Sequence, residues 1–176
     1  MALVTTPGAS SADSFVSVAD CETYCAAHGL TDWTGAADSP ADIKEAALRR
    51  ATAFLSNSFT WKGSKANGRS QALAWPRTEV YDGEGDEVSS TTIPVEIVQA
   101  TCIIAAKEVV TPGYMNPAVV MTDRVKSERV GPLATEYVTA SFGPEASRPV
   151  LLQVNDLVGG LIATSGSAIV GSALRS

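Results

Sequence analysis

Charged residues are scarce in this chain. They make up 18% of its 176 residues, against about 25% in ordinary globular domains. Small and hydroxylated residues take their place, while hydrophobic residues reach 45%. A chain of this composition can bury a substantial core, which argues against wholesale disorder. The length predicts one domain with short appendages.

Positive charge is the scarcer of the two signs. The chain has 13 basic and 19 acidic residues, which gives a formal net charge of −6. A free nucleic-acid-binding domain usually carries an excess of basic residues that neutralises phosphates. The excess of acidic residues therefore argues against tight wrapping of DNA. It suits a surface past which DNA slides without being bound.

Long apolar runs and targeting signals are also missing. No run approaches the roughly 18 apolar residues of a membrane span, so we expect no membrane association. The first residues, Met1–Gly8, have neither a basic region nor an apolar core, so we expect no signal peptide. Three cysteines without a paired framework are typical of a reducing compartment.

Catalytic patterns are equally rare. His28 is the only histidine, whereas a hydrolytic triad needs a nucleophile, a base and a third group that orients the base. Neither GxSxG nor a phosphate-loop pattern is present. We therefore expect no enzymatic activity and no cofactor, and the sequence assigns no catalytic or cofactor-binding residue.

Cys21, Cys25 and His28 recur at helical spacing, so a helix would present them on one face. Two interpretations stay open. These soft ligands could bind zinc, or the cysteines are core residues and the histidine lies at a helix C-terminus, where a cation is favourable. We favour the second, because structural zinc sites usually use CxxC turns, and we assign no metal ligand.

Hydrophobic periodicity and capping residues predict a mainly α fold, a small bundle of about four helices. The predicted helices run from residue 18 to about 27, from 40 to about 57, from 94 to about 110 and from 150 to about 158. Ser17 with Asp20 marks the first start, and Ser39-Pro40 the second. The third helix is apolar on most sides, which predicts a central position or packing against a neighbouring subunit. Residues 30–38 are predicted to form a loop.

The remaining segments are predicted to be appendages. Residues 119–140 alternate between polar and apolar side chains, which predicts a β-hairpin or two extended arms. Since a lone hairpin is marginal in water, we expect it to pair with another subunit. Residues 1–14 predict a flexible N-terminal arm, and the apolar, Gly-rich residues 159–176 predict a tail ordered on a partner. The helical domain then covers residues 15–158.

The stretch Gln71–Arg77 links two predicted helices. It is an apolar and aromatic run closed by Pro76, which disfavours helical geometry at Trp75. It therefore predicts a rigid link.

Three tryptophans suggest an alternative hypothesis, namely binding of single-stranded nucleic acid. Trp33, Trp61 and Trp75, with Arg69 and Arg77, could form a stacking platform for single-stranded nucleic acid. The acidic balance of the chain instead favours core and interface positions for these rings.

Several segments together resemble one family. They are Phe15–Val18, Tyr24, Thr31–Trp33, Ala46–Thr52, Trp61–Gly63, Gln71–Arg77 and Ile93-Pro94. They resemble phage proteins labelled DnaT-like single-stranded-DNA-binding proteins, which are similar to the head–tail connector (adaptor, head-completion) proteins of long-tailed phages. The resemblance is most specific at Gln71–Arg77. The structural family motif comprises Trp33, Trp61, Gln71, Trp75, Pro76 and Arg77.

The resemblance implies a structural virion protein at the head–tail interface. It implies a homo-oligomeric ring, typically of about twelve subunits, docked beneath the portal. Such a ring extends the DNA channel, lets double-stranded DNA pass without sequence-specific binding and meets the next tail-side connector or tail-terminator protein. It would assemble in the cytoplasm of the bacterial host. The alternative, which the label implies, is single-stranded-DNA binding.

The C-terminal segment of that family commonly inserts against the portal. The resemblance therefore implies a portal-binding surface on the last helix and the tail. Its residues would be Leu157, Leu161, Ile162, Ile169, Val170 and Leu174.

Overall fold

A computed structural model of the chain describes residues 2–36, 40–118, 127–130, 133–136 and 149–163. The fold is mainly α-helical, as predicted. Its helices are α1, Val18–Ala27; α2, Thr31–Thr34; α3, Ala41–Ser58; α4, Val95–Val110; and α5, Leu152–Val158. Its strands are β1, Ser64–Lys65; β2, Arg77–Thr78; β3, Ser127–Val130; and β4, Leu133–Glu136. No helix in the described part of the chain is long and apolar enough to cross a membrane.

The helix boundaries follow the capping signals closely. At the start of α1, the backbone N–H of Asp20 donates to Ser17 Oγ at 3.1 Å, and that hydroxyl donates to Asp20 Oδ2 at 2.6 Å. Helix α3 begins one residue later than predicted, because Pro40 has extended backbone and precedes the first helical residue. Ser39 lies outside the described residues.

The predicted loop of residues 30–38 contains a helix that the sequence analysis missed. In α2, the Leu30 carbonyl accepts hydrogen bonds from the backbone N–H groups of Trp33 and Thr34, at 3.1 and 3.2 Å. A single turn is too short to produce a periodic pattern. Burial of Trp33, which is fully enclosed, supplies the stability that so short a helix lacks by itself.

Helix α4 is the centre of the bundle, which confirms the prediction from its apolar surface. It packs against α1, α2, α3 and α5. Its buried residues occupy almost the whole circumference: Ile97, Ala100, Thr101, Cys102, Ile103, Ile104, Ala105, Ala106, Glu108 and Val109. Each large aliphatic side chain buried here contributes about 1.5–3 kcal/mol to folding.

Four ion pairs join the elements around this core. Lys44 pairs with Glu22 at 2.6 Å, Arg49 with Asp13 at 2.7 Å, Arg50 with Glu108 at 2.7 Å and Lys107 with Asp32 at 2.6 Å. Glu108 is only 2% exposed, and its carboxylate also accepts from the backbone N–H groups of Gly113 and Met115. This carboxylate therefore holds the turn after α4 against α3.

Both ends of the described chain lie against the connection between α3 and α4. At the N-terminal end, Asn67 Nδ2 donates to the Gly8 carbonyl at 2.9 Å, within the segment expected to be a flexible arm. After α5, the Ala163 N–H donates to the Thr60 carbonyl at 2.8 Å, and Leu161 is buried. The contacts of the folded unit thus extend past residues 15 and 158.

The predicted β-hairpin is present within residues 119–140. Strands β3 and β4 pair antiparallel, with Ser127 opposite Glu136 and Val130 opposite Leu133. Pairing of this hairpin with another subunit stays a prediction.

Replacing the buried carboxylate tests the packing of α3 on α4. Glu108→Ala removes the carboxylate that accepts from Arg50 Nε and from two backbone N–H groups, while the bond from Arg50 Nη2 to the backbone carbonyl of residue 108 remains. We expect the free energy of unfolding to fall by about 3 kcal/mol. Chemical denaturation followed by circular dichroism measures it. The control is Glu96→Ala, in the first turn of α4, where a loss below about 1 kcal/mol is expected. Equal losses would contradict the structural role of Glu108.

Candidate nucleic-acid interface

The connection between α3 and α4, residues 59–94, has an aromatic inner side. The rings of Trp61 and Trp75 meet edge to face with centroids 5.6 Å apart, and Phe59 lies 5.3 Å from Trp61. Trp75 is fully buried and Trp61 is 6% exposed. The Trp75–Pro76 peptide bond is cis. These rings join the connection to the core of the bundle.

Gln71 closes this connection on itself. Its side chain is 2% exposed, and its Nε2 donates to the carbonyls of Leu73 and Pro76, both at 3.0 Å. Its Oε1 accepts from the Asn67 N–H at 3.3 Å. Both polar ends of the amide are thus satisfied by backbone groups, which fixes the path of the chain around Trp75.

Arg77 clamps the other side of the same loop. Its guanidinium donates to three carbonyls: those of Lys62 and Gly63, both at 2.6 Å, and that of Ala74 at 3.2 Å. Burial lowers the pKa of Arg77, because a charged guanidinium is less stable away from water. Gly63 has a φ of 63°, and a Cβ there would lie 2.0 Å from the Thr78 carbonyl oxygen, so only glycine fits.

Apart from Arg129 in β3, the basic residues of the described chain fall into two groups. The four in the helices, Lys44, Arg49, Arg50 and Lys107, each pair with a carboxylate. The other four, Lys62, Lys65, Arg69 and Arg77, all lie within residues 59–78, a segment without any Asp or Glu. Within the described ranges, none of these four has a carboxylate partner. Lys62 and Lys65 were not predicted as part of a site, although the lack of acidic residues in this segment is visible in the sequence.

Comparison with known proteins assigns the chain to a family. Over residues 1–176 the chain matches the family described as "Putative DnaT-like ssDNA binding protein". The chain belongs to this DnaT-like family. No curated protein and no solved structure matches it.

The tryptophans of this DnaT-like chain do not form an exposed platform. Trp33, in α2, is fully buried, and Lys44 Nζ from α3 lies 5.5 Å from its ring centroid. Trp61 and Trp75 contact each other in the α3–α4 connection. Stacking of bases requires an accessible ring face. The structure therefore places all three rings in the core, as the acidic balance favoured.

The residues expected to bind a portal differ in how far they are buried, and three of them are not described by the structure. Leu161 is buried, and Ile162 forms an antiparallel bridge with Trp61. Leu157 is half-buried against the core. The expected contacts Ile169, Val170 and Leu174 lie outside the described residues. Leu161 thus packs into the core of the described fold, and portal binding by this set of residues stays a prediction.

The cysteine group lies in the core of the bundle. Cys21 and Cys25 are fully buried with their Sγ atoms 3.8 Å apart, and Cys102 is buried with them. Hydrogen bonding to Cys102 and Cys25, together with burial, raises the pKa of the Cys21 thiol. His28 is exposed and stacks on Tyr24, with ring centroids 4.1 Å apart. Among the described residues, no three potential ligands are arranged to hold a metal ion.

Removal of the central indole tests whether the family motif is structural. We expect Trp75→Ala to lower the free energy of unfolding by about 3–5 kcal/mol, because the ring is enclosed on all sides. Tyr81→Ala is the matched control, since this aromatic ring in the same connection is 54% exposed. We expect a change of about 0.5 kcal/mol or less for the control. An unchanged thermal melt of Trp75→Ala would refute the assignment.

Proposed function

We propose that this chain is a head–tail connector of a phage virion. Copies of it would assemble into a ring beneath a portal, extend the DNA channel and present a surface to the next tail-side protein. The resemblance of Gln71–Arg77 and its neighbours to connector proteins supports this proposal. The structural observation that carries it is an exposed apolar groove on the bundle.

The groove lies between α2, α4 and the start of α5, and has a volume of about 520 Å³. It is lined by Gly29, Leu30, Thr31, Asp32, Ile103, Ala106, Lys107, Val150, Leu151, Leu152 and Gln153. Val150 and Leu152 are 69% and 71% exposed, and Val110, one turn beyond Lys107 on α4, is 61% exposed. Aliphatic side chains clustered around a groove in this way are typical of a surface that meets another protein.

The charge distribution also suits a conduit. A net charge of −6 prevents strong overall attraction to DNA, so DNA could move past many subunits without being held. The absence of an exposed tryptophan face in the described chain removes the contact that would retain single strands most strongly.

Single-stranded-DNA binding is the second candidate function. The description of the family favours it, and the four basic residues of the α3–α4 connection supply the positive charge that phosphate groups attract. Such binding would rest on phosphate contacts, since the tryptophans are enclosed.

Charged substitutions in the groove test assembly. We expect Val150→Asp with Leu152→Asp to abolish ring formation or portal binding, because carboxylates would be desolvated in an apolar contact. The fold should persist, since both side chains are exposed. Val95→Asp is the control, as Val95 is 60% exposed but does not line the groove. Light scattering after size-exclusion chromatography and co-sedimentation with portal are the measurements. Normal ring formation and normal portal binding by the double variant would show that the groove is not an assembly surface.

Truncation separates the tail from the fold. A chain ending at Ala163 keeps the bond to Thr60 and the buried Leu161, so we expect it to melt like the full chain and to lose portal binding. A chain ending at Val158 loses both contacts and should melt at a lower temperature. Portal binding by the chain ending at Ala163 would show that Ile169, Val170 and Leu174 are not the portal contacts.

A further inference from the structure

We propose that Lys62, Lys65, Arg69 and Arg77 form a surface that binds the phosphate groups of DNA. This basic surface belongs to the same connection as the buried Trp61 and Trp75; Arg69 is exposed, and Lys62, Lys65 and Arg77 are partly exposed. The inference extends both candidate functions, because each of them brings DNA against the protein. It names residues that would make the contact and a mode of contact that needs no aromatic stacking.

Two of the cations face each other across a strand pair. In the antiparallel ladder of β1 and β2, Lys65 lies directly opposite Arg77. Residues opposite each other share one face of the ladder, and like charges in that position repel. No carboxylate in the described part of the chain pairs with either side chain. An anion bound between or beside them would relieve this repulsion.

Arg69 extends the surface between the two strands. It lies on the 3₁₀ turn Gly68–Ser70, is exposed, and has no hydrogen bond or ion pair with any of the residues that the structure describes. A guanidinium is suited to phosphate, because its planar array of N–H donors matches two phosphate oxygens at once.

Neutral acceptors hold the other cations in place without cancelling their charge. Lys65 Nζ donates to the Gln71 carbonyl at 3.2 Å, and Lys62 Nζ donates to the carbonyls of Tyr81 and Gly160 at 3.2 and 2.6 Å. Each ammonium or guanidinium still has N–H groups beyond those used. The positions of these side chains are thus set before an anion arrives, which lowers the entropy lost on binding.

The acidic turn that follows limits the surface on one side. Asp82 accepts hydrogen bonds from the backbone N–H groups of Asp86 and Glu84, which lower its pKa, and the nearby charge of Lys62 lowers it further. The charge of Lys62 thus lies near the carboxylate of Asp82, whereas Lys65, Arg69 and Arg77 lie within the stretch 59–78, which has no acidic residue. Arg77 also holds the loop together, so Lys65 and Arg69 are the residues to substitute.

Phosphodiester chains fit this arrangement better than a single small anion. The four cations are spread over residues 62–77 of the connection, and the family description names a nucleic acid as ligand. Contacts to phosphates carry no sequence information. We therefore expect weak, salt-sensitive binding that is equal for oligonucleotides of different sequence.

The test compares Lys65→Gln/Arg69→Gln with wild type in binding to fluorescently labelled oligonucleotides, single-stranded and duplex, by anisotropy at several salt concentrations. We expect the slope of log K against log salt concentration to become shallower by about 0.7 per removed charge for single strands, or about 0.9 for duplex. For the single variant Arg69→Gln, the slope should become shallower by the amount expected for one removed charge. Its matched control, Arg49→Gln, removes one positive charge from α3, where Asp13 and Glu45 already lie against it, and should leave the slope unchanged.

The outcomes separate this inference from the proposed functions. If wild type binds and the double variant binds equally well with the same salt slope, the basic surface is wrong while DNA binding stands. If wild type binds neither oligonucleotide at low salt, the basic surface and the single-stranded-DNA function both fail, whereas the connector proposal still rests on its assembly test. Preference for single strands over duplex would favour the second candidate function.

Discussion

The enclosure of Trp75 is the constraint on which the α3–α4 connection depends. Because its ring packs on Trp61 inside the bundle, the residues on either side must turn sharply, and their backbone groups need partners. Gln71 and Arg77 supply those partners from within the loop. The four cations of the connection stay at least partly exposed, as charged side chains usually do.

The helical bundle and the α3–α4 connection differ in how their basic residues are paired, and the net charge of the chain does not show this difference. In the helices every described basic side chain has a carboxylate partner, and the buried Glu108 joins α3, α4 and the following turn through one such pair. In the connection, cations bind carbonyls, so their charge persists. An overall charge of −6 therefore coexists with a positive surface. Attraction to phosphate depends on this local arrangement at separations within a Debye length, about 10 Å at 0.1 M salt.

The helices and the hairpin could be predicted because their signals are local. The hydroxyl of Ser17 caps its own helix, and the apolar circumference of α4 is visible in the order of residues. Contacts between distant segments leave no such signal: the bond from Asn67 to Gly8 and that from Ala163 to Thr60 join residues far apart in the chain. Burial of the tryptophans was predictable from composition, whereas the cross-strand position of Lys65 and Arg77 required the register of a two-residue ladder.

Helix α5 links the two surfaces on which the proposed functions rest. Its beginning lines the apolar groove, and the turn after its end contributes the Gly160 carbonyl that binds Lys62. Seven helical residues span roughly 10 Å, so a protein docked in the groove and a phosphate on the connection would not compete for the same atoms. The proposed protein contact and the proposed DNA contact thus rest on different residues of one subunit. In a closed ring the basic surface would recur in every copy, so weak contacts would guide DNA without any one of them holding it.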